Sequence, residues 1–234
     1  MALTDGLISV WNMNNNWQDS VGTNHLTASG SVFSTDAKLG SHAGDFDGVD
    51  DFSYVASNAT LNPTSAISIS TWVKLDTSAS YDSFVNKWWD GTDRNYSLYY
   101  TTTGSDSVYF NIATSDSNAD HVAIKAITLD LGVYHHIVGT FDGQYVKVYV
   151  NNVLGGTVYN FGSVKTLRTN TVRLALGADG RTPPVDFMDG RQDATMIWNR
   201  EITVAEISQL YNGGAGLELL ALLAGKPYYY LIQS

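Results

Sequence analysis

Along much of the chain, apolar and polar side chains alternate one by one. Ile67, Ile69, Thr71, Val73 and Leu75 fall on one side of such a run, and Ser68, Ser70, Trp72 and Lys74 on the other. Successive side chains of an extended chain point to opposite faces, so this alternation predicts a strand with one buried face. The pattern returns at Val108, Phe110 and Ile112, at Val146, Val148 and Val150, at Val172, Leu174 and Leu176, and at Ala194, Met196 and Trp198. Between the runs stand Asp47-Gly48, Asp90-Gly91, Asp142-Gly143, Asn151-Asn152, Asp179-Gly180 and Asp189-Gly190. Gly and Asn enter left-handed backbone cheaply, so these pairs predict tight turns. Strands spaced by roughly 8–12 residues with such punctuation predict an all-β antiparallel sandwich or barrel of about a dozen strands.

The alternation breaks once in favour of a helix. Thr203-Val204-Ala205-Glu206 is a capping box, in which the Thr hydroxyl and the Glu carboxylate satisfy main-chain N–H groups at the helix start. Ile207, Leu210 and Tyr211 then share one face, and Gly213-Gly214 ends the turn. Beyond it the composition shifts to Leu219–Ala224 and to Tyr228-Tyr229-Tyr230-Leu231-Ile232. An apolar tail left in water is a liability. The expected organisation is therefore a sandwich over residues 1–214 and a docking tail over 215–234 that binds other structural proteins, with homo-oligomers a further option.

Length and composition narrow the field. The chain has 234 residues, 44% of them apolar, enough for one sizeable core. With 13 Lys and Arg against 23 Asp and Glu, the net charge of −10 repels nucleic acid and anionic membranes, so no nucleic-acid partner is expected. No apolar run approaches the roughly 20 residues of a membrane span. The opening MALTDGLISV lacks the charged and apolar regions of a signal peptide, which predicts synthesis without export. Without cysteine there are no disulfides, thiol nucleophiles or thiolate metal sites. Of the 23 acids, all but Glu201, Glu206 and Glu218 are Asp, the acid of turns.

Four strings, taken in order, resemble a known family. They are Phe46-Asp47-Gly48-Val49-Asp50-Asp51-Phe52, Ile67 to Lys74, Tyr134 to Gly143 with Val148 to Val153, and Gly190 to Asp193 running through Trp198-Asn199-Arg200 to Leu210-Tyr211-Asn212. Together they resemble the laminin-G-like jelly roll of the concanavalin A-like lectin and glucanase superfamily, over Gly6 to Gly214. The resemblance implies two curved antiparallel sheets. The ending Leu210 to Glu218 is also similar to the close of such domains in phage structural proteins. This implies a non-catalytic structural or adhesion protein of a virion surface, as a capsid decoration, tail or fibre component made in the host cytoplasm. The alternative is a lectin-type carbohydrate-binding module of bacterial origin acting outside the cell. A glycoside hydrolase is the least favoured reading, because the superfamily's glucanases carry a Glu-x-Asp-x-x-Glu strand motif that is missing here.

The resemblance also directs attention to two sets of side chains. One structural calcium ion joining the first and last strands would be held by Asp19, Asn24, Asp47 and Asp193, since hard cations take carboxylate and carbonyl oxygens supplied by turns. The plainer alternative has Asp19 and Asp47 capping their own turns and Asp193 paired with Arg191 or Arg200. A glycan would meet Trp88, Trp89, Asp90, Asp93 and Arg94, with Arg181, Asp186 and Phe187 as a second rim. Aromatic rings stack on sugar C–H faces while Asp, Asn and Arg bind hydroxyls. Neighbouring Trp88 and Trp89 point to opposite sides of an extended segment, so one of them is expected to be exposed. Of His135 and His136, one is expected in the core and one on the surface, with no catalytic or zinc-binding role.

Overall fold

A computed structural model describes residues 2–89 and 93–219. Sixteen strands lie among them. In chain order these are β1 (Leu7–Trp11), β2 (Thr27–Ser29), β3 (Val32–Ser34), β4 (Ala43–Asp47), β5 (Phe52–Val55), β6 (Ile67–Leu75), β7 (Tyr81–Lys87) and β8 (Tyr96–Thr101). There follow β9 (Ser107–Thr114), β10 (Ser117–Ala126), β11 (His135–Phe141), β12 (Tyr145–Val150), β13 (Val153–Leu154), β14 (Tyr159–Asn160), β15 (Leu174–Leu176) and β16 (Asp189–Trp198). One helix, α1 (Val204–Tyr211), closes the series, and Thr203 and Glu206 form the expected capping box.

All the strand pairs are antiparallel, in two sheets. The first has the order β13-β12-β11-β6-β16-β4-β3, with β1 also on β16 and β14 also on β12; the second has the order β10-β9-β8-β7-β15-β5-β2. Strand β16 serves two partners along one edge: Asp189–Gln192 face β4, while Thr195–Trp198 face β1. At the changeover the ladder to β6 is bulged between Asp193 and Met196, and Ala194 takes a φ of 46°.

The apolar members of the alternating runs meet between the sheets, as the periodicity requires: Ile67, Ile69, Val73 and Leu75 from the first sheet, Leu98, Phe110, Ile112 and Leu174 from the second. A second cluster covers the far face of the first sheet, where Trp72, Val138, Met196 and Trp198 lie beneath Ile202, Ile207 and Leu210 of the helical segment. Leu217 and Leu219 join this cluster, so packing on the sandwich continues past residue 214. Residues 220–234, most of the expected docking tail, lie outside the described residues.

The covered face corrects one expectation. His135 and His136 are both buried, because the side of β11 that would face water in a two-layer sandwich lies under α1. The His136 Nε2 is 2.8 Å from Ser70 Oγ, its ring packs 4.9 Å from Trp72, and burial pushes it down to about 3, so it is neutral. His135 takes the N–H of Asp130 on Nε2 and contacts Asn151 Nδ2 at Nδ1. Both rings are structural.

A candidate carbohydrate-binding groove

Among the described residues no helix lies on the outer face of the second sheet. Two rows of side chains cross it in register. Asn86 of β7, Ser97 of β8 and Asn111 of β9 make one row, and Ser83, Tyr99 and Tyr109 make the next. Asn86 donates to Ser97 Oγ at 3.2 Å. Tyr81, at the start of β7, extends the aromatic row: its ring centroid is 6.0 Å from that of Tyr99, which stacks 5.2 Å from Tyr109 at 15°. A bulge in β7 between Ser83 and Val85 sets the phase. Phe84 and Val85 both turn into the core there, which returns Asn86 and Trp88 to the outer face.

Tyr81, Ser83, Asn86, Trp88, Ser97, Tyr99 and Asn111 floor a groove of about 340 Å³, within the size range of small-ligand sites. Its rim is built from charged side chains held in pairs. Arg94 binds Asp120 and lies over the Trp88 ring, 5.4 Å from its centroid. Arg181 binds Asp179 and reaches to 3.8 Å from Asp186. Asp179 also accepts the N–H groups of Arg181 and Val185; burial raises its carboxyl, and those N–H groups and Arg181 oppose the rise. The arrangement offers flat rings, neutral amides and hydroxyls, and oriented ion pairs, the chemistry that recognises sugar rings and hydroxyls.

The sequence-predicted residues divide between this groove and a neighbour. Trp88, Arg94, Arg181 and Asp186 line or border the first groove, with Trp88 only 7% exposed. Trp89 is 47% exposed and, with Asp93, faces a second groove of about 360 Å³ that also meets Arg181. The opposed directions of the two tryptophans are as the extended geometry requires. Asp90 lies outside the described residues. Phe187 does not reach the rim: it is half-buried, its ring 6.5 Å from that of Phe52. The aromatic row and the amide row were not singled out from sequence. Their signal was the other phase of β8, where Ser97 and Tyr99 alternate with the core residues Tyr96, Leu98 and Tyr100.

The four expected calcium ligands do not converge. Asp19 and Asn24 are neighbours, but the Asp19 carboxylate is committed: Oδ1 accepts from the N–H of Val10, Val21 and Gly22, and Oδ2 from that of Asn24. Four donors aimed at one carboxylate form an anion's environment and leave a cation poorly served. Asp47 Oδ1 accepts from Val49, Asp50 and Asp51, closing its own turn. It pairs in register with Asp189, and Asp193 lies four residues further along β16, about 13 Å away at strand rise. Asp193 is not paired with Arg191 or Arg200 either: Arg191 binds Asp45 and Asp76, and Arg200 binds Glu206. It accepts the N–H groups of Lys38 and Leu39 at 2.9 Å. The residues present do not fit a cation joining the first and last strands.

Fold and groove together define a lectin-type jelly roll, with one sheet face sealed by a helix and the opposite face open. Residues 47–208 match the family model for the concanavalin A-like lectin/glucanases superfamily, of laminin-G type, and the chain belongs to that superfamily. No curated protein matches the sequence. Among solved structures, domain 4 of AbnA, an extracellular GH43 arabinanase from Geobacillus stearothermophilus in complex with arabinotriose, superposes with a TM-score of 0.66 at 18% identity, over 90% of this chain and 98% of that one. The binding domain of Paraclostridial Mosquitocidal Protein 1 gives 0.72 at 14%, over 91% of this chain and 53% of that one. The receptor binding domain of botulinum neurotoxin mosaic serotype C/D gives 0.67 at 15%, over 91% and 52%. This chain thus spans about half of each toxin domain. At these identities the likeness is one of fold.

Proposed function

We propose that this protein is a non-catalytic carbohydrate-recognition domain that binds an oligosaccharide along the outer face of its second sheet. The observation that carries the reading is the row Tyr81–Tyr99–Tyr109 beside the row Asn86–Ser97–Asn111. Tyr99 and Tyr109 stack face against face and Tyr81 stands tilted at 54° to Tyr99, so the row offers a sugar its ring edges and the exposed side of Tyr81, beside amides that reach hydroxyls. The arabinotriose bound to the arabinanase domain and the toxin binding domains add support from proteins of the same fold. Each rim acid, Asp120, Asp179 and Asp186, has an arginine within ion-pair distance. This supports a reading of the acids as hydrogen-bonding partners, in place of the acid and base pair that glycoside hydrolysis requires.

A role on a particle surface is compatible with this layout. The last described residue, Leu219, is buried in the cluster on the first sheet's far face, the side opposite the groove. Attachment there would present the groove outward. The test is a glycan array followed by titration calorimetry on the best ligand. Tyr99→Ala is expected to weaken binding at least tenfold with the melting temperature little changed. An array without a hit, or a Tyr99→Ala protein that binds as tightly as the parent, overturns the reading.

A further inference from the structure

The second groove, next to the tyrosine groove across Arg181, has a different chemistry. It is lined by Tyr54, Trp89, Asp93, Arg173 and Arg181, among others. Arg173 lies over two aromatic rings, 4.7 Å from the Phe52 centroid and 5.2 Å from that of Tyr54. Its Nη2 donates to the carbonyl oxygen of Arg181 at 2.5 Å. No carboxylate among the described residues lies within ion-pair distance of it, whereas Arg181 has Asp179 and Asp186. A guanidinium carries five N–H donors in a planar fork suited to a carboxylate. Burial lowers the Arg173 pKa, with Tyr54 and Asp179 pulling the other way. Behind the wall, the Lys87 amine, pushed down to about 7 by burial, is bonded to Ser57 Oγ and the Val172 carbonyl of the groove lining. Among the described lining residues, Asp93 is the one acid beside Arg173 and Arg181. Trp89, half exposed, offers a ring beside them.

We propose that the Tyr54–Trp89–Arg173 groove is a second subsite that takes a sugar bearing a carboxylate, with Arg173 binding the carboxylate and Trp89 stacking on the ring. This rests on the reading of the first groove as a glycan site, and it makes the two grooves one extended site for an acidic oligosaccharide. Hexuronates and sialic acids share the required group, and the experiment separates them.

Calorimetry on the full chain would compare trigalacturonate, sialyllactose and a neutral trisaccharide, at low and at physiological salt. The expected result is that one acidic ligand binds at least tenfold tighter than the neutral one, an advantage that shrinks as salt rises. Arg173→Gln is expected to erase that advantage while leaving neutral binding in the tyrosine groove as it was. Trp89→Ala, a change at an exposed side chain, is expected to weaken the acidic ligand several-fold and serves as the readout if Arg173→Gln does not fold. Neutral binding with no acidic preference overturns the subsite and spares the tyrosine groove; no binding of any glycan removes both. An acidic preference that survives Arg173→Gln in folded protein also overturns the assignment.

Discussion

Lys87 shows how far a single side chain can depart from its ordinary place. It alternates correctly along β7, yet its ammonium is buried against Ser57 Oγ, the Asn170 carbonyl and Oδ1, and the Val172 carbonyl. Burial pushes it down to about 7, with Asp93 pulling the other way. Asp82 and Asp193 are displaced in the opposite direction: burial raises both to about 7, against an N–H from Ala79 in one case and from Leu39 and Lys38 in the other. Each of these acids keeps one oxygen without a hydrogen-bond partner among the described residues. The linkage signs follow. Between 3.8 and about 7 the folded state holds more protons on the two acids than the unfolded chain, so their contribution to stability is full below 3.8 and is lost as pH rises through 7. Between about 7 and 10.5 the folded state holds fewer on Lys87, so stability lost below 7 returns as pH rises. Melting temperature against pH should therefore dip near neutrality, by a few degrees. Asp82→Asn should flatten the acid side of the dip and Lys87→Met the alkaline side; a profile that peaks at pH 7 in the parent would contradict both. In the sequence Lys87 and Asp82 look like ordinary polar members of alternating runs, and Asp193 stands out only as a candidate metal ligand or ion-pair partner, because burial depends on what the rest of the chain lays over them.

At the scale of elements, periodicity predicted the long strands and local chemistry predicted the helix start. Strands of two or three residues, such as β2, β3, β13 and β14, are too short for alternation to register, which accounts for sixteen strands where about a dozen were expected. The bulges in β7 and β16 are also silent in the pattern: one extra residue shifts the phase, and the hydrophobic run continues on either side. Thr203→Ala removes the cap that the sequence did show and should cost about 1 kcal/mol, or a few degrees of melting temperature. Gly139 of β11 tests the contact between sheets. A Cβ built there would come within 2.4 Å of the Phe110 ring carried by β9 of the other sheet. Gly139 lies outside the left-handed region, so the obstacle is steric alone. Gly139→Ala should destabilise by about 1–3 kcal/mol through overpacking, and Gly139→Ala with Phe110→Leu should recover part of that in a denaturant melt; no recovery would mean that the ring is not the obstacle.

At the scale of the whole molecule the two sheets are used differently. The first has its far face sealed by α1 and the residues that follow it, through Lys38 donating to the Gly214 carbonyl at 2.5 Å and through Tyr211 stacked 6.0 Å from Trp72. Among the described residues nothing seals the outer face of the second, and both grooves lie on that side. Because Asp19, Asp47 and Asp193 each accept main-chain N–H groups and do not converge, a chelator is expected to leave the melting temperature unchanged. A fall of several degrees would show that a cation is bound after all, with Asp47, Asp50 and Asp51, the acids whose oxygens lie closest together, the first place to look. By itself the sequence determined the fold class, the capped helix and the exposure of one of the two tryptophans Trp88 and Trp89, since each depends on near neighbours along the chain or on a pattern of period two. Only the tertiary structure decided that the tyrosines of three strands stand in one row, that both histidines of β11 are covered, and that the expected metal ligands lie apart. Those outcomes depend on strand register and on which face another segment covers, relations between residues distant in sequence that no local pattern records.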